Sequence, residues 1–549
     1  MNTNQRKRKN NIIMQGGILA IAGIIAKMIG LIKRIPVTNI IGDNGNSFYS
    51  AAFEVYAIIL LISSYSLPLA VSKLVSARVS KGQYKNANKV FKGALIFSII
   101  SGGTASVFVF FCANFLSEKV MLEPMSYLAL KILAPAIFIV AIMGVFRGYF
   151  QGLGTMMPTA VSQVIEQIFV AVIGVLGAYL LYGYGTKVGN LVQNEYYGAS
   201  YGAAGATLGP GIGALVGLLF LMFTFWLYYP HFKRQIATDN SKYTEDYGQI
   251  FKILLFTIVP VILSTAVYNV SNVIDQRIYN QIMIEKGFSE LKSYNWGVFS
   301  GKYRVLTNVP IALASAMSSS IIPSLTAGMA DKDFQQIREK IGKVIRFTMI
   351  IAIPCAVGMG VLGRPIVDML FNGEIDLAAI LLHIGAVSIV FYSLSTLTNG
   401  ILQGINRMKI PVRNAIIALV LHIIVLYIML QYFNMDIYAV VIANVLFALI
   451  MCVLNAMAIR KHTQYKQELV KTFGIPTLCA TIMGVILFIV YQLSIMVMHN
   501  IFATTLSILI GIVVYFVLLI AFRGVTEKEL KEVPMGSKII KAAKLIHIL

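Results

Sequence analysis

Basic side chains interrupt two of the long apolar stretches in this chain. Lys27 and Lys33 fall in the first stretch, and Lys302 and Arg304 fall in another near the middle of the chain. A charged side chain is costly in hydrocarbon, and one inside an apolar helix usually marks a pathway or a binding cavity. Because ammonium and guanidinium groups pair with phosphate, these four residues predict a cationic cavity for an anionic substrate. The simpler alternative for Lys33, Lys302 and Arg304 is that they reach outward to the membrane surface.

Amide side chains occur near these basic residues and in the preceding apolar stretch. Asn269 and Asn272 are three residues apart and therefore share one face of a helix. Asn308 follows Arg304 by about one turn. A polar face of this kind must point to protein or water and not to lipid. We therefore assign Asn272 and Asn308 to the substrate cavity together with the basic residues.

The sequence lacks the motifs of an enzyme. It contains no HExxH, GxSxG or Walker A pattern, and its 6 histidines are scattered. Its 4 cysteines all fall in apolar runs, so they predict neither a disulfide framework nor a metal site. We therefore expect a transporter and not an enzyme, with no cofactor apart from a coupling ion.

The composition is that of a membrane protein. Hydrophobic residues make up 58% and charged residues 12% of the 549 residues, whereas soluble proteins contain about 25% charged residues. Apolar stretches recur that are each long enough, at ~20 residues, to cross a bilayer as a helix. We predict an all-α polytopic membrane protein with fourteen transmembrane helices. The predicted spans are roughly 12–33, 48–72, 91–113, 126–147, 158–182, 202–229, 251–274, 296–323, 344–362, 377–402, 411–433, 436–459, 472–493 and 500–522.

A short motif occurs twice at matching places. Gly148-Tyr-Phe-Gln-Gly152 returns as Gly400-Ile-Leu-Gln-Gly404, 252 residues later, each time at the end of an apolar stretch. A second pair, Lys81–Tyr84 and Asp331–Phe334, is 250 residues apart. The repeat contains six spans, an even number, so its two copies are parallel six-helix lobes related by a pseudo-twofold axis along the membrane normal. The motif itself predicts a tight turn in each copy.

The repeat divides the chain into three parts. We predict an N-lobe at 1–245 (spans 1–6), a C-lobe at 246–465 (spans 7–12), and a C-terminal part at 466–549 with two extra helices and a basic tail. Most of the 45 Lys and Arg residues lie on the side of both termini, which places the termini in the cytoplasm. The same bias explains the net charge of +22 without nucleic acid as a partner. The tail 526–549 is either an amphipathic helix on the inner leaflet or a solvated basic segment.

Two further features predict packing. Glu166 is expected to pair with a basic residue such as Arg147, with a direct role in transport as the alternative. Glycines from Gly198 to Gly217 include several GxxxG spacings, which are typical of close helix contacts in membranes. No strand precedes them, so they do not predict a dinucleotide-binding loop.

Short motifs in the chain resemble those of the MOP flippase superfamily. The segment Ala26–Arg34, followed by Ile41-Gly42, is similar to the family pattern S-R-x-L-G-x-x-R-[DE] with a later hydrophobic-Gly pair. The segment Ile321–Leu325 is similar to the family's LPSL at the end of the eighth span. The resemblance is closest to MurJ-type lipid II flippases and the related polysaccharide-biosynthesis and stage V sporulation protein B group. By topology it extends over nearly the whole chain.

The resemblance implies alternating access around a central site for an undecaprenyl-pyrophosphate-linked precursor. Lys27 and Lys33 would take the places of two cavity arginines of the family, and Arg304 lies near a third. Lysine in place of arginine weakens bidentate pyrophosphate recognition to point-charge attraction, and the family's arginine in the second span has no match. Spans 13 and 14 are similar to the pair that forms a groove for the lipid tail in MurJ-type proteins.

The resemblance also implies an energy source, partners and a location. Family members are thought to use ion gradients or the membrane potential, so Na⁺ or H⁺ is the expected coupling ion. Glu54, Asn269, Asp275 and Asn414 are the candidates for ion binding or gating, although a location at the surface also explains Glu54. The expected setting is the bacterial cytoplasmic membrane. There a monomer would contact membrane lipids, a lipid-linked saccharide and enzymes of cell-envelope synthesis.

Other functions stay open. An ion-coupled multidrug exporter of the same superfamily would normally have twelve spans and acidic cavity residues, and the basic cavity argues against it. A flippase for teichoic-acid or exopolysaccharide precursors would need the same cationic cavity as one for lipid II. A non-transporting membrane scaffold would leave the intramembrane lysines without a reason.

Overall fold

The structure, a computed structural model, describes residues 3–239, 241 and 245–525. Within these ranges the regular secondary structure is entirely helical. The helices are α1 (Thr3–Ile32), α2 (Arg34–Leu60), α3 (Leu67–Val79), α4 (Tyr84–Phe115), α5 (Tyr127–Gly152), α6 (Met157–Val192), α7 (Tyr196–Ala237), α8 (Tyr247–Glu285), α9 (Ser289–Val298), α10 (Arg304–Ala330), α11 (Phe334–Val361), α12 (Gly363–Leu370), α13 (Asp376–Gly385), α14 (Val387–Gly404), α15 (Lys409–Gln431), α16 (Asp436–Thr463), α17 (Ile475–Ile495) and α18 (Asn500–Ala521). The tail predicted at 526–549 lies outside the described residues.

Long apolar helices account for most of the predicted spans. Ten helices in the described ranges are long and apolar enough to cross a membrane, and an eleventh span results if α13 and α14, which meet at a bend of 52°, are counted together. These spans correspond to the third to sixth and the eighth to fourteenth predicted ones. Helices α1, α2 with α3, and α8 occupy the other three places, but their described residues do not reach the same length of apolar sequence. The chain is therefore a multi-pass helical membrane protein, and the exact number of fourteen spans stays a prediction.

The described helices form two compact units. The first is Met1–Gly301, with α1–α9, and the second is Lys302–Leu549, with α10–α18. In the first unit, α8 packs against α2 and α4, and α9 packs against α2. The lobe boundaries expected at 245 and 465 rest on the sequence repeat, which is a different criterion from compactness, and they stay a prediction.

The two copies of the glycine motif end their helices in the same way. Helix α5 ends at Gly152 and α14 ends at Gly404. Two residues later the backbone has a positive φ in both copies, 85° at Gly154 and 59° at Asn406. In each copy the next amide donates a hydrogen bond to the carbonyl five residues before it. These shared contacts confirm the predicted tight turn.

The motif glycines also let a neighbouring helix approach closely. A Cβ atom on Gly148 would lie 2.7 Å from the carbonyl oxygen of Pro68 in α3. A Cβ atom on Gly404 would lie 3.0 Å from the Cβ of Leu325 in α10. Small residues are the usual means by which membrane helices pack backbone to backbone. The motif therefore packs the fourth predicted span on the second, and the tenth on the eighth.

The glycine-rich stretch of α7 makes the close helix contact that its spacing predicts. A Cβ atom on Gly209 would lie 2.5 Å from the carbonyl oxygen of Val170 in α6. One on Gly213 would lie 2.8 Å from the carbonyl oxygen of Glu166, also in α6. Any larger residue at either position would push the two helices apart. The packing interpretation is confirmed.

Two spans contain a π-helical segment. Leu61–Tyr65 joins α2 to α3, and Phe299–Tyr303 joins α9 to α10. In the first of these the hydroxyls of Ser63 and Ser64 are 2.9 Å apart, and Pro68 follows in the next turn. Such segments mark places where a helix bends. Serine and proline loosen a membrane helix and allow it to bend, and in the second predicted span they coincide with this irregular backbone.

The connection expected at 275–295 is mostly helical. Helix α8 continues to Glu285 and α9 begins at Ser289. The polar side chains of this segment face protein and not lipid, since Gln276 and Asn295 are both buried. Hydropathy detects contact with lipid, so it did not identify these turns as helical.

The described residues between α7 and α8, which we call the linker, dock on the turn between α3 and α4. The Nη2 of Arg78 lies 2.8 Å from Oε2 of Glu245, and Nζ of Lys89 donates to the carbonyl of Glu245 at 2.9 Å. The amide of Lys85 donates to the carboxylate of Asp239 at 2.7 Å. Both ends of the linker are therefore bound to one turn.

Candidate functional site

Lys27 and Lys33 are the first two predicted site residues. Lys33 lies at a break between two helices, and Lys27 lies before it. Helix α1 ends at Ile32 and α2 begins at Arg34, so Lys33 occupies the junction. The backbone stays hydrogen-bonded, since the amide of Lys33 donates to the carbonyl of Ile29 at 3.0 Å. Lys33 is half-buried, and Lys27, nearly two turns earlier, is exposed. The two ammonium groups therefore have different surroundings.

Lys33 and Arg34 lie in a polar patch of the first unit. The guanidinium carbon of Arg34 is 4.1 Å from the centroid of the Tyr49 ring, a cation–π distance. Lys33 lies close enough to Glu166 for their opposite charges to interact. We call Lys33, Arg34, Tyr49 and Glu166 the junction patch.

The carboxylate of the junction patch already has a partner. Oε2 of Glu166 lies 2.7 Å from Nη2 of Arg147, and their side chains are 17% and 13% exposed. The Nε of Arg147 also donates to the hydroxyl of Ser162 at 3.1 Å. The predicted pairing of Glu166 with Arg147 is confirmed. Lys33 consequently faces an acid whose charge is shared with an arginine.

A glycine bends α2 just beyond the junction patch. Gly42 has φ 68° and ψ −177°, a conformation that side chains other than glycine rarely adopt. Nδ2 of Asn46 donates to the freed carbonyl of Gly42 at 2.7 Å, and Thr38 donates to Oδ1 of Asn46 at 3.1 Å. The resemblance quoted Gly42, and its role here is to turn α2.

The face of α8 that the sequence predicts to be polar is largely enclosed by protein. Asn269 and Asn272 are half-buried, and Asp275 is 2% exposed. Glu54 of α2, the other acidic candidate, is half-buried. The structure thus places these amides against protein, as expected from their cost in lipid. Their proposed roles in substrate or ion binding stay predictions.

A buried ion pair that the sequence did not indicate lies in the same unit. Nζ of Lys292 in α9 is 3.1 Å from Oε2 of Glu123, with side-chain exposures of 8% and 2%. The hydroxyls of Ser293 and Ser47 donate to the same carboxylate at 2.8 Å and 3.2 Å. Both charges stand in predicted connections, where charged residues are usually solvated, so the sequence carried no signal for this pair.

Helix α8 holds the same connection, residues 116–126, from a second side. Arg277 donates to the carbonyl of Val120 at 2.7 Å, and Asn280 donates to the carbonyl of Met121 at 2.8 Å. We call the contacts of α2, α8 and α9 with residues 116–126 the polar seam. It joins elements of the first predicted lobe to the first two helices of the second.

Lys302 and Arg304, the predicted basic site residues of the second unit, are less accessible to solvent than expected. Lys302 is 1% exposed, and its Nζ donates to the carbonyl of Glu374 at 2.8 Å. Arg304 is half-buried and Asn308 is exposed. In this structure Lys302 therefore holds the connection before α13, while Asn308 is accessible. Substrate contact by any of the three stays a prediction.

Asn414 belongs to a cluster of neutral polar groups. Its Nδ2 donates to Oδ1 of Asn455 at 2.9 Å, and Asn455 in turn donates to Asn399 at 2.8 Å and to Thr398 at 3.1 Å. Among the described residues no group of three or more His, Cys, Asp or Glu side chains is placed to hold a metal ion. A monovalent coupling ion at Asn414 or Asp275 stays a prediction.

Within each unit, the structure brings together only part of the predicted set. Lys33 lies in the junction patch, Asp275 on the enclosed face of α8, and Asn414 in the amide cluster. Lys302 is tied to Glu374. The junction patch is the place where cationic groups and a partly neutralised acid meet, so it is the strongest candidate for binding an anionic group.

Comparisons with known proteins agree on one superfamily. The family model described as polysaccharide biosynthesis protein matches residues 13–329, and the one described as MatE matches residues 305–428. The lipid II flippase MurJ of Bacillus subtilis (strain 168) is 27% identical over 492 residues, 85% of this chain and 86% of that protein. Stage V sporulation protein B of the same organism is 23% identical over 537 residues, 95% of this chain and 98% of that protein.

A solved structure shares the fold. The lipid II flippase MurJ in an inward closed conformation aligns with a TM-score of 0.65 over 92% of this chain and 98% of that one. The identity in that alignment is 17%, so it describes the architecture and not the substrate.

Proposed function

This chain belongs to the polysaccharide biosynthesis protein family, within the MOP superfamily of flippases, and we propose that it moves a lipid-linked cell-envelope precursor from the inner to the outer leaflet. The leading substrate is lipid II, the undecaprenyl-pyrophosphate-linked precursor of peptidoglycan, since the similarity to the B. subtilis lipid II flippase extends over 85% of the chain. The proposed setting is the bacterial cytoplasmic membrane with both termini inside.

The junction patch carries this proposal. Lys33 and Arg34 place two cations next to each other in the chain, and Glu166 nearby is bound to Arg147. A pyrophosphate is the kind of ligand that such a cluster attracts. Lysines act as point charges without the planar fork of arginine, so the site would accept the headgroup with little demand on its orientation.

Alternating access assigns a role to the polar seam. A headgroup that leaves on the outer side needs the helices there to separate. A permanent interface would favour apolar packing, yet the seam contains the ion pair of Glu123 and Lys292 and the hydrogen bonds from Arg277 and Asn280 to backbone carbonyls. Such groups would gain water when the seam opens.

A multidrug exporter is the second candidate, because the MatE family model matches residues 305–428. The cationic junction patch favours an anionic substrate over a cationic drug. A teichoic-acid or exopolysaccharide precursor would satisfy the same patch as lipid II. Na⁺ or H⁺ is the proposed coupling ion, with Asp275, Asn269 and Glu54 in the first unit as its candidate contacts.

Reconstitution with labelled lipid II tests the proposal. The exposure of the headgroup on the far side of the vesicle is measured for the native protein and for Lys27→Ala, Lys33→Ala and Lys27→Arg. Lys187→Ala is a matched control, since Lys187 is exposed on α6 outside the predicted site. We expect the two site variants to lose about tenfold in rate, the effect of one lost charged contact. Lys27→Arg and the control should stay near the native rate.

Two outcomes would count against the proposal. A native protein that moves no lipid-linked saccharide of any type would remove the flippase interpretation. Native rates in both alanine variants would leave the function standing and remove Lys27 and Lys33 from the site.

A further inference from the structure

A groove opens on the surface of the second unit. Its volume is about 750 Å³, toward the upper end of the ~300–1,000 Å³ typical of sites for small molecules. Helices α14 and α16 form most of its walls. Its apolar lining includes Phe391, Leu394, Leu449, Val453, Ala456 and Met457.

The walls of this groove suit a hydrocarbon chain. Val453 and Met457 are 50% and 56% exposed, and both stand on α16, a helix long and apolar enough to cross a membrane. Exposed apolar side chains on such a helix contact lipid. The groove is therefore open to the acyl chains of the bilayer along its length.

One end of the groove is polar and cationic. Arg460, Tyr465, Lys466 and Gln467 line it there. Glu468, the nearest acid in the sequence, lies 2.8 Å from Arg346 and 3.6 Å from Lys471. In the described part of the chain no carboxylate forms an ion pair with Arg460 or Lys466.

Tyr465 and Gln467 add neutral polar groups at the same end. The hydroxyl of Tyr465 donates to Oε1 of Gln467 at 3.3 Å. Burial, and the nearby charge of Glu468, raise the pKa of Tyr465 to about 12, so the hydroxyl keeps its proton at any physiological pH. Two cations and two neutral polar side chains thus line one end of an apolar groove.

We propose that this groove binds an anionic phospholipid of the bilayer, with an acyl chain between α14 and α16 and the headgroup phosphate between Arg460 and Lys466. Basic pockets between transmembrane helices are suited to anionic headgroups. A groove of about 320 Å³ between α11, α17 and α18 offers a contrast. Its lining has no charged side chain, so it could hold a hydrocarbon chain but not select a headgroup.

Native mass spectrometry of the purified full-length protein tests the proposal. The protein is titrated with phosphatidylglycerol, with phosphatidylcholine of the same acyl chains, and with undecaprenyl diphosphate. The variants are Arg460→Gln with Lys466→Gln, which removes both charges, and Ala456→Trp, which fills the groove. Lys461→Gln is the matched control, because Lys461 is exposed beside Arg460 but does not line the groove.

We expect the native protein and the control to retain phosphatidylglycerol in preference to phosphatidylcholine. The charge variant should lose about tenfold in affinity for phosphatidylglycerol and keep its weak binding of phosphatidylcholine. Ala456→Trp should weaken both lipids. Equal retention of the two phospholipids by the native protein, or unchanged affinity in the charge variant, would overturn the proposal. Displacement of phosphatidylglycerol by equimolar undecaprenyl diphosphate would assign the groove to the substrate instead.

Gel filtration and thermal unfolding show whether each variant is folded. If Ala456→Trp does not fold, the charge variant and its control still decide the question, because both replace exposed side chains. The test measures lipid binding alone, so its result is independent of whether the protein flips lipid II.

Discussion

Glu123 and Lys292 form a buried ion pair at 3.1 Å, although 169 residues separate them in the sequence. Glu123 lies between α4 and α5, and Lys292 lies in the first turns of α9. The carboxylate also accepts hydrogen bonds from Ser47 and Ser293. A pair that is this well satisfied can persist away from water, whereas either partner alone cannot.

Removal of one partner should therefore be costly. We expect Glu123→Gln to lower the free energy of unfolding by about 3–5 kcal/mol, because it leaves the Lys292 ammonium buried without its counter-charge. Thermal unfolding of the detergent-purified protein measures the effect. Replacement of both residues, Glu123→Gln with Lys292→Met, should recover most of the loss.

Glu118 provides the control for that prediction. It pairs with Lys119, but the two side chains are 54% and 65% exposed, so Glu118→Gln should change stability by less than about 1 kcal/mol. If Glu118→Gln and Glu123→Gln lowered the free energy of unfolding equally, burial of the Glu123–Lys292 pair would not be the cause of the loss.

The sequence predicted the features that depend on contact with lipid or on local backbone geometry. Hydropathy identified α4–α7, α10, α11 and α13–α18 as spans apart from their ends, and the repeated glycine motif predicted the turns at Gly154 and Asn406. The carboxylate of Glu166 within an apolar stretch predicted its ion pair with Arg147. Each of these features follows from the residue types of its own segment, without knowledge of contacts with distant parts of the chain.

Features that depend on distant contacts were not predictable. The polar turns of α8 beyond Asp275 looked like a connection because their side chains face protein and not lipid. Glu123 and Lys292 looked like ordinary charges in connections. Lys302 was expected in an open cavity, but the carbonyl that it binds belongs to Glu374, and nothing in the sequence relates the two.

The glycine motif predicts a matched pair of substitutions. Gly148→Ala should destabilise the protein by about 1–3 kcal/mol, the usual cost of overpacking, because a Cβ atom there would lie 2.7 Å from the Pro68 carbonyl and 2.8 Å from the Cβ of Val71. Gly183→Ala in α6 is the control, since its Cβ atom would meet nothing within 4 Å. Thermal unfolding of both variants checks this. A control that is as unstable as Gly148→Ala would show that helix contact is not the cause.

The docked linker predicts a dependence on pH. Burial alone would raise the pKa of Asp239, but hydrogen bonds from the Lys85 amide and from Ser241 outweigh it and lower that pKa below 3.8. The contribution of Asp239 to stability is therefore complete above about pH 4, and it is lost as the pH falls through the lowered value.

Hydrogen exchange of the Lys85 amide, which donates to the Asp239 carboxylate, measures that contribution. We expect this amide to exchange faster at pH 3 than at pH 5, after correction for the intrinsic rate. Asp239→Asn should show the faster exchange already at pH 5 and little further change. Identical protection in the native protein at both pH values would contradict the prediction.

The junction patch gives the last prediction, which concerns affinity. Glu166 is bound to Arg147 at 2.7 Å, so the acid does not fully neutralise Lys33 and the ammonium keeps attraction for a phosphate. We expect Lys33→Ala to weaken binding of a lipid-linked pyrophosphate by about tenfold, the effect of one lost charge-assisted contact. Lys33→Arg should bind at least as tightly as the native protein, because a guanidinium can engage two phosphate oxygens. Equilibrium binding in detergent measures this, with Lys73→Ala, an exposed lysine of α3, as the control. If Lys33→Ala binds as the native protein does while Lys27→Ala does not, the substrate contacts α1 alone and the junction patch serves the fold.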